Sequence, residues 1–322
     1  MPRPLPWLFF LSLIFVYSSA AAQQDIQFSQ YVFNGLVLNP AYAGYKEVTN
    51  VDLTYRDQWT GLTGAPKTIS ASVDGLTKNE KMGLGFQVIA DKLGAQSSLN
   101  AYVSYSYRLL LGEYSRLCFG LAGGINQYSL DGTKLFTIDN DQALGTLQAT
   151  TLKPDMKFGI FYTTEKYYAS LSATDLFSDY RTNDPSYLVI YRNRHYYLQF
   201  GALYNVSDEL RIKPSVIFKE DFKGPANMDL NVFFLLGDRL WVGGSYRTGL
   251  SIFKNSKLQN DLVSADAASA LVEYFISDRL RIGYSFDYST NRLKDVNDGT
   301  HEISIGYSLQ PRHANAVCPR FF

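Results

Sequence analysis

The stretch Arg279–Thr290, RLRIGYSFDYST, alternates without a missed step. Leu280, Ile282, Tyr284, Phe286 and Tyr288 share one face, and Arg281, Gly283, Ser285, Asp287 and Ser289 share the other. A period of two is that of a β-strand with one apolar face and one wet face. Beyond the N-terminal leader the longest unbroken apolar run is VFFLL, Val232–Leu236. That is far short of the ~20 apolar residues a membrane-crossing helix needs. If such a chain enters a bilayer, a closed barrel is the remaining solution, because open sheet edges find no hydrogen-bond partners in lipid.

The same alternation predicts about 14 strands, a number in the range of outer-membrane barrels. They span residues 48–56, 67–74, 82–91, 97–111, 116–128, 155–164, 167–174, 194–205, 209–219, 227–236, 239–247, 267–276, 279–290 and 301–309. No stretch of the mature chain has convincing helical periodicity. Connections after odd-numbered strands are mostly long, as at 57–66, 130–154, 175–193, 220–226, 248–266 and 291–300, and those after even-numbered strands are short. Short turns on one side and long loops on the other mark an outer-membrane barrel, with turns in the periplasm and loops outside. The connection 92–96 is short where this rule asks for a long one.

Arg56, Arg108, Arg211, Lys213, Lys219, Asp229, Asn231, Glu273, Arg279, Arg281, Asp287 and Glu302 all fall on the polar phase of the predicted strands. A soluble sandwich would also carry charges on one face. Length argues for lipid, since several strands reach the ~9–11 residues needed to cross a bilayer when tilted. Tyr55, Tyr107, Tyr196, Tyr204, Tyr288 and Tyr307 lie at strand ends, as in an aromatic girdle. No fixed repeat of the ~40 residues that a propeller blade requires is present. Lys+Arg and Asp+Glu balance at 30 each, so net charge points to no nucleic-acid partner.

Residues 1–22 read as a secretory signal: Arg3, the apolar Trp7–Val16, then small residues at Ala20–Ala22. The mature chain is expected to begin at Gln23. An uncleaved membrane helix is the alternative, and the apolar run is short for one. No Cys lies near the junction, so no lipoprotein anchor is indicated. The expected organisation is an N-terminal plug or periplasmic segment at 23–46, a transmembrane barrel at 47–310 and a tail at 311–322. An even strand count places both termini in the periplasm.

The segment QQDIQFSQYVFNGLVLNPAYAGY, Gln23–Tyr45, stands outside the barrel pattern and contains Asn39, Pro40, Ala41, Tyr42, Ala43 and Gly44 in succession. It is followed in order by YRDQW (Tyr55–Trp59), PKTISASVDG (Pro66–Gly75), GLGFQVIADKLG (Gly83–Gly94) and YSYRL (Tyr105–Leu109). PDMKFGIFY (Pro154–Tyr162), PSVIFK (Pro214–Lys219), MDLNV (Met228–Val232), WVGGSYR (Trp241–Arg247) and the terminal CPRFF come after. This ordered set resembles the PorP/SprF family of Bacteroidetes outer-membrane proteins. The resemblance implies a non-enzymatic component of type IX secretion and gliding motility. It further implies docking of a large secreted surface adhesin through its C-terminal sorting domain, beside the subunits of the secretion machinery. A passive porin-like or hydrophobic-solute channel is the rival reading, and a soluble binding protein a third.

Two groups are candidate contact residues. Asn39, Pro40, Tyr42 and Gly44 would form a lumenal plug or a periplasmic contact, or merely seal the periplasmic end of the barrel. Arg56, Asp57, Gln58 and Trp59 lie where the first strand meets its outer loop. They would touch cargo, Trp and Arg being common interface anchors, or sit in the girdle beside a rim charge pair. Cys118 and Cys318 could form a disulfide pinning the tail, or remain free thiols. DNDQALG, Asp139–Gly145, lacks the Gly and closing Glu positions of an EF-hand and reads as a solvated loop. His195, His301 and His313 are scattered, and neither GxSxG nor HExxH is present, so no enzyme, metal or cofactor is expected.

Overall fold

The computed structural model describes residues 26–134, 148–177, 193–222, 225–250 and 265–309. The predicted signal, the tail with Cys318 and His313, and the Asp139–Gly145 loop lie outside the described residues.

The strands are β1 (Asn50–Asp57), β2 (Lys67–Leu76), β3 (Met82–Leu93), β4 (Gln96–Leu110), β5 (Arg116–Asp131), β6 (Gln148–Thr163), β7 (Tyr167–Thr174) and β8 (His195–Ala202). They continue with β9 (Tyr204–Asn205), β10 (Leu210–Glu220), β11 (Ala226–Leu236), β12 (Leu240–Leu250), β13 (Ala265–Phe275), β14 (Leu280–Ser289) and β15 (Thr300–Ser308). Apart from the step from β8 to β9, each pairs antiparallel with its neighbours in sequence, and β15 pairs with β1 from Asn50↔Ser308 to Asp57↔His301. The sheet is therefore closed and has no free edge. β9 is the continuation of β8 beyond Leu203, and both pair with β10, so the barrel has fourteen staves.

The predicted outward phase is the observed one. On β1, Val51, Leu53 and Tyr55 are exposed, while Asp52, Thr54 and Arg56 are buried in the lumen. On β14, Ile282, Tyr284 and Tyr288 face outward, and Arg281, Ser285 and Asp287 face in. Exposed apolar residues on an outer-membrane barrel wall face lipid. VFFLL is apolar throughout because neither of its faces meets water. Val232, Phe234 and Leu236 meet lipid, and Phe233 and Leu235 point into the lumen at 0% exposure.

Two expectations are corrected. Arg279 is not on a strand; it is exposed in the turn before β14, which starts at Leu280. The hairpin of β5 and β6 is longer than its alternation suggested, pairing out to Asp131↔Gln148. Beyond the bilayer a strand needs no apolar face. There Ser129 and Thr150 sit opposite each other with hydroxyls 3.0 Å apart, and the period-two signal fades while pairing persists. The short connection between β3 and β4 is a tight hairpin through Gly94 and Ala95.

Candidate functional site

The chain ahead of β1 lies inside the barrel. Its 3-10 turns at Gln30–Val32, Gly35–Val37 and Pro40–Tyr42 are nearly all buried. Its first described residues contact the loop-side half of the lumen. From there it descends to the turn side and enters β1 at Asn50.

The loop-side half is held by charge. Glu302 of β15 accepts the Ser29 and Gln30 backbone N–H groups, each at 2.9 Å, one on each carboxylate oxygen. Arg56 of β1 donates to Glu302 and to Asp287 of β14, both at 2.8 Å, and to the Ser29 hydroxyl. Arg56 is 2% exposed and Glu302 0%, so these are desolvated, charge-assisted bonds. A second set lies a few staves along the wall, on β10, β11 and β12. Arg247 donates to Gln27 at 2.8 Å and pairs with Asp229, which also takes Lys219.

The turn-side half is held mainly by close fit, with an ionic clasp at its end where Glu47 pairs with Arg108 and Arg116. Asn39, Pro40, Ala41, Tyr42, Ala43 and Gly44 press against β3, β5 and β6 at lumen-facing glycines. A Cβ on Gly83 would strike the Ala43 carbonyl, one on Gly120 the Ala41 backbone, and one on Gly159 the Asn39 side chain. Only a stave without a side chain lets the segment approach this closely. Asn39 closes the contact at both ends of its amide. Its oxygen accepts the Ala41 N–H at 2.8 Å and caps the third turn, and its nitrogen donates to the Ser170 hydroxyl at 2.8 Å. Gly44 has φ of +71° and donates its N–H to Asp74 at 2.8 Å. Tyr42, Tyr45 and Phe161 stack as edge-on or tilted pairs with ring centroids 4.8–5.5 Å apart. Upstream, Phe28, Tyr31, Val32, Phe33 and Val37 form an apolar cluster with Ile217, Phe233, Leu235, Trp241 and Leu271 of the wall.

The second candidate group divides. Arg56 turns inward and belongs to the lumenal anchor. Asp57 ends β1, and Gln58 and Trp59 begin the first loop, which is tied to its neighbours. The Thr60 N–H donates to the Gly299 carbonyl and the Asp298 N–H to the Thr60 carbonyl, each at 2.8 Å, and the Gly94 N–H donates to the Gly64 carbonyl at 2.9 Å. Between them runs a rim groove of about 360 Å³ containing Asp57, Trp59, Leu62, Lys67 and Lys92. Trp59 holds φ of +52°, with its N–H donating to the Thr300 hydroxyl.

Ser29, Gln30, Phe161, Tyr168 and Trp241 were not singled out from sequence. The available signal was apolar side chains on the wet phase of a strand, as at Phe161, Ile217, Phe233 and Trp241. Such residues need a partner inside the lumen. Among the described residues no group of three His, Cys, Asp or Glu side chains could hold a metal ion. His195 and His301 sit on separate strands, β8 and β15. Cys118 is buried beside Phe161 and the plug as a free cysteine.

A family model described as type IX secretion system membrane protein PorP/SprF matches residues 20–307. No curated protein matches the sequence. Among solved structures, the toluene transporter TbuX of Ralstonia pickettii is similar with a TM-score of 0.51 at 8% identity, over 87% of this chain and 94% of that one. A FadL homologue of Pseudomonas aeruginosa gives 0.48 at 11% identity, over 87% and 94%. The KdgM porin gives 0.38 at 11%, over 81% and 99%. At these identities the likeness to TbuX is one of barrel fold alone, and the other two carry no argument.

Proposed function

The chain belongs to the PorP/SprF family of type IX secretion system membrane proteins, and from that premise we propose that this outer-membrane barrel is a docking station and not a conduit. Its client would be a large secreted surface adhesin, engaged through the adhesin's C-terminal domain at the loop rim. Subunits of the secretion machinery would be its other partners. Recognition would use shape and hydrogen bonds, with no covalent chemistry.

The observation that supports this reading best is the lumenal segment. Ala41, Tyr42, Ala43 and Tyr45 are at most 5% exposed, and the wall is cut to receive them. A barrel shaped around its own N-terminus leaves the tied loops and the Trp59 groove as the surface offered to a partner. Arg56 serves that rim from beneath, by holding the plug.

The test is crosslinking in the native outer membrane, with a tag in the connection between β5 and β6 and mass spectrometry of captured chains. Recovery of a large secreted protein crosslinked through its C-terminal domain, together with machinery subunits, is the expected result. Steady ion current from the full-length protein in a planar bilayer, with no such capture, would overturn docking in favour of a passive channel.

A further inference from the structure

The outer wall carries a second feature, next to the groove offered to a partner and sharing Lys67 and Lys92 with it. Register places Lys67 of β2 directly opposite Lys92 of β3, with Asp57 of β1 beyond Lys67 and Ser97 of β4 beyond Lys92. All four share the lipid-facing phase at the loop-side end of their strands. The next rung toward the bilayer centre is Tyr55, Ile69, Ala90 and Leu99. Here Ala90 is a single methyl between Ile69 and Leu99, each about half exposed, and the wall sinks into a depression of about 450 Å³. The hollow thus has Lys67 and Lys92 on its loop side, with Asp91 at its edge, and apolar side chains on its membrane side.

Like charges directly opposite on neighbouring strands repel. Asp57 pairs with Lys67 at 3.3 Å, Lys92 has no ion-pair partner among the described residues, and the nearby Asp91 accepts the Thr68 hydroxyl. A lysine on a lipid-facing wall extends its ammonium to the headgroup level. There it meets anionic lipid phosphate.

We propose that this hollow binds a phosphate-bearing glycolipid of the outer leaflet. The phosphate would sit between Lys67 and Lys92, Ser97 would donate a hydrogen bond, and an acyl chain would run down over Ala90 between Ile69 and Leu99. Because the loops lie on the outer side in such barrels, the headgroup belongs to the outer leaflet. The site adjoins the rim groove, which shares Lys67 and Lys92, so bound lipid would brace the loop that carries Trp59.

The test is native mass spectrometry of the full-length protein in detergent, with monophosphorylated lipid A and its dephosphorylated form as probes. The wild type is expected to retain the phosphorylated lipid in preference, by about fivefold for each lysine engaged. Lys67→Ala/Lys92→Ala should bind both lipids alike, and Lys67→Arg/Lys92→Arg should keep the preference. If the double alanine variant loses its heat-modifiable gel shift, Lys92→Ala alone carries the test, because it removes no observed ion pair. Equal retention of the two lipids by the wild type would overturn the proposal. So would unchanged preference in a folded alanine variant, or full competition by millimolar inorganic phosphate, which would make this a site for free anions.

Discussion

The two halves of the lumenal segment are held mainly by different physics, the Glu47 clasp on Arg108 and Arg116 being the ionic contact of the turn side. On the loop side Ser29 and Gln30 hang from Glu302, and Arg56 neutralises the carboxylates around them. On the turn side the backbone of Ala41 and Ala43 lies against Gly120 and Gly83, with Tyr42 and Tyr45 wedged on Phe161. A buried ionic anchor is weak evidence of net stability, yet it punishes the loss of one partner severely. A steric fit tolerates loss better than excess, because added atoms have nowhere to go. The loop-side half should therefore fail when something is removed, and the turn-side half when something is added.

Glu302→Ala is expected to have the largest effect. It leaves two plug N–H groups without their acceptor and Arg56 with one carboxylate, a loss of about 3–5 kcal/mol by analogy with broken buried pairs. A lowered denaturation midpoint by tryptophan fluorescence, with new protease cleavage between residues 26 and 38, would register it. A midpoint within error of the wild type would show that the anchor is solvated. Gly120→Val comes next, at about 1–3 kcal/mol from overpacking. It should expose the 39–45 region to protease while leaving 27–30 protected, and it should open ion-conducting steps in a planar bilayer. Release of both halves together would mean that the plug moves as one body.

Asn39→Ala should cost about 1 kcal/mol through the lost cap and the bond to Ser170. Asn39→Asp, which keeps the capping oxygen, should recover part of that in the same denaturation assay. The smallest effect belongs to Asp57→Asn, which removes the exposed pair with Lys67 and should shift stability by less than about 1 kcal/mol. Set beside Glu302→Ala, it asks whether burial or charge makes the lumenal anchor sensitive. A large effect of Asp57→Asn would point to charge.

Much of the wall was legible in advance. Arg56, Asp229, Arg281, Asp287 and Glu302 were read as lumenal because each occupies the polar phase of a two-residue repeat. The turn containing Arg279 and the upper β5–β6 hairpin were misplaced for one reason. Outside the bilayer either face of a strand can be wet, so alternation stops reporting where a strand ends. The punctuation of Asn39, Pro40 and Gly44 marked a packed segment, but not its depth or direction. That Gly83, Gly120 and Gly159 form its bed depends on three strands far apart in sequence.

What the sequence by itself determined is the wall: its strand count, its antiparallel order, and which side chains meet lipid and which the lumen. These follow from local periodicity and from the rule that a membrane leaves no backbone group unpaired. What only the tertiary structure decided is the filling. It placed Ser29 on Glu302, set Ala41 against Gly120, and turned Arg56 to the plug while its neighbours Asp57 and Trp59 went to the rim. Those contacts join residues up to 273 positions apart. They exist because closing the barrel created an interior that this chain's own N-terminal segment is shaped to occupy.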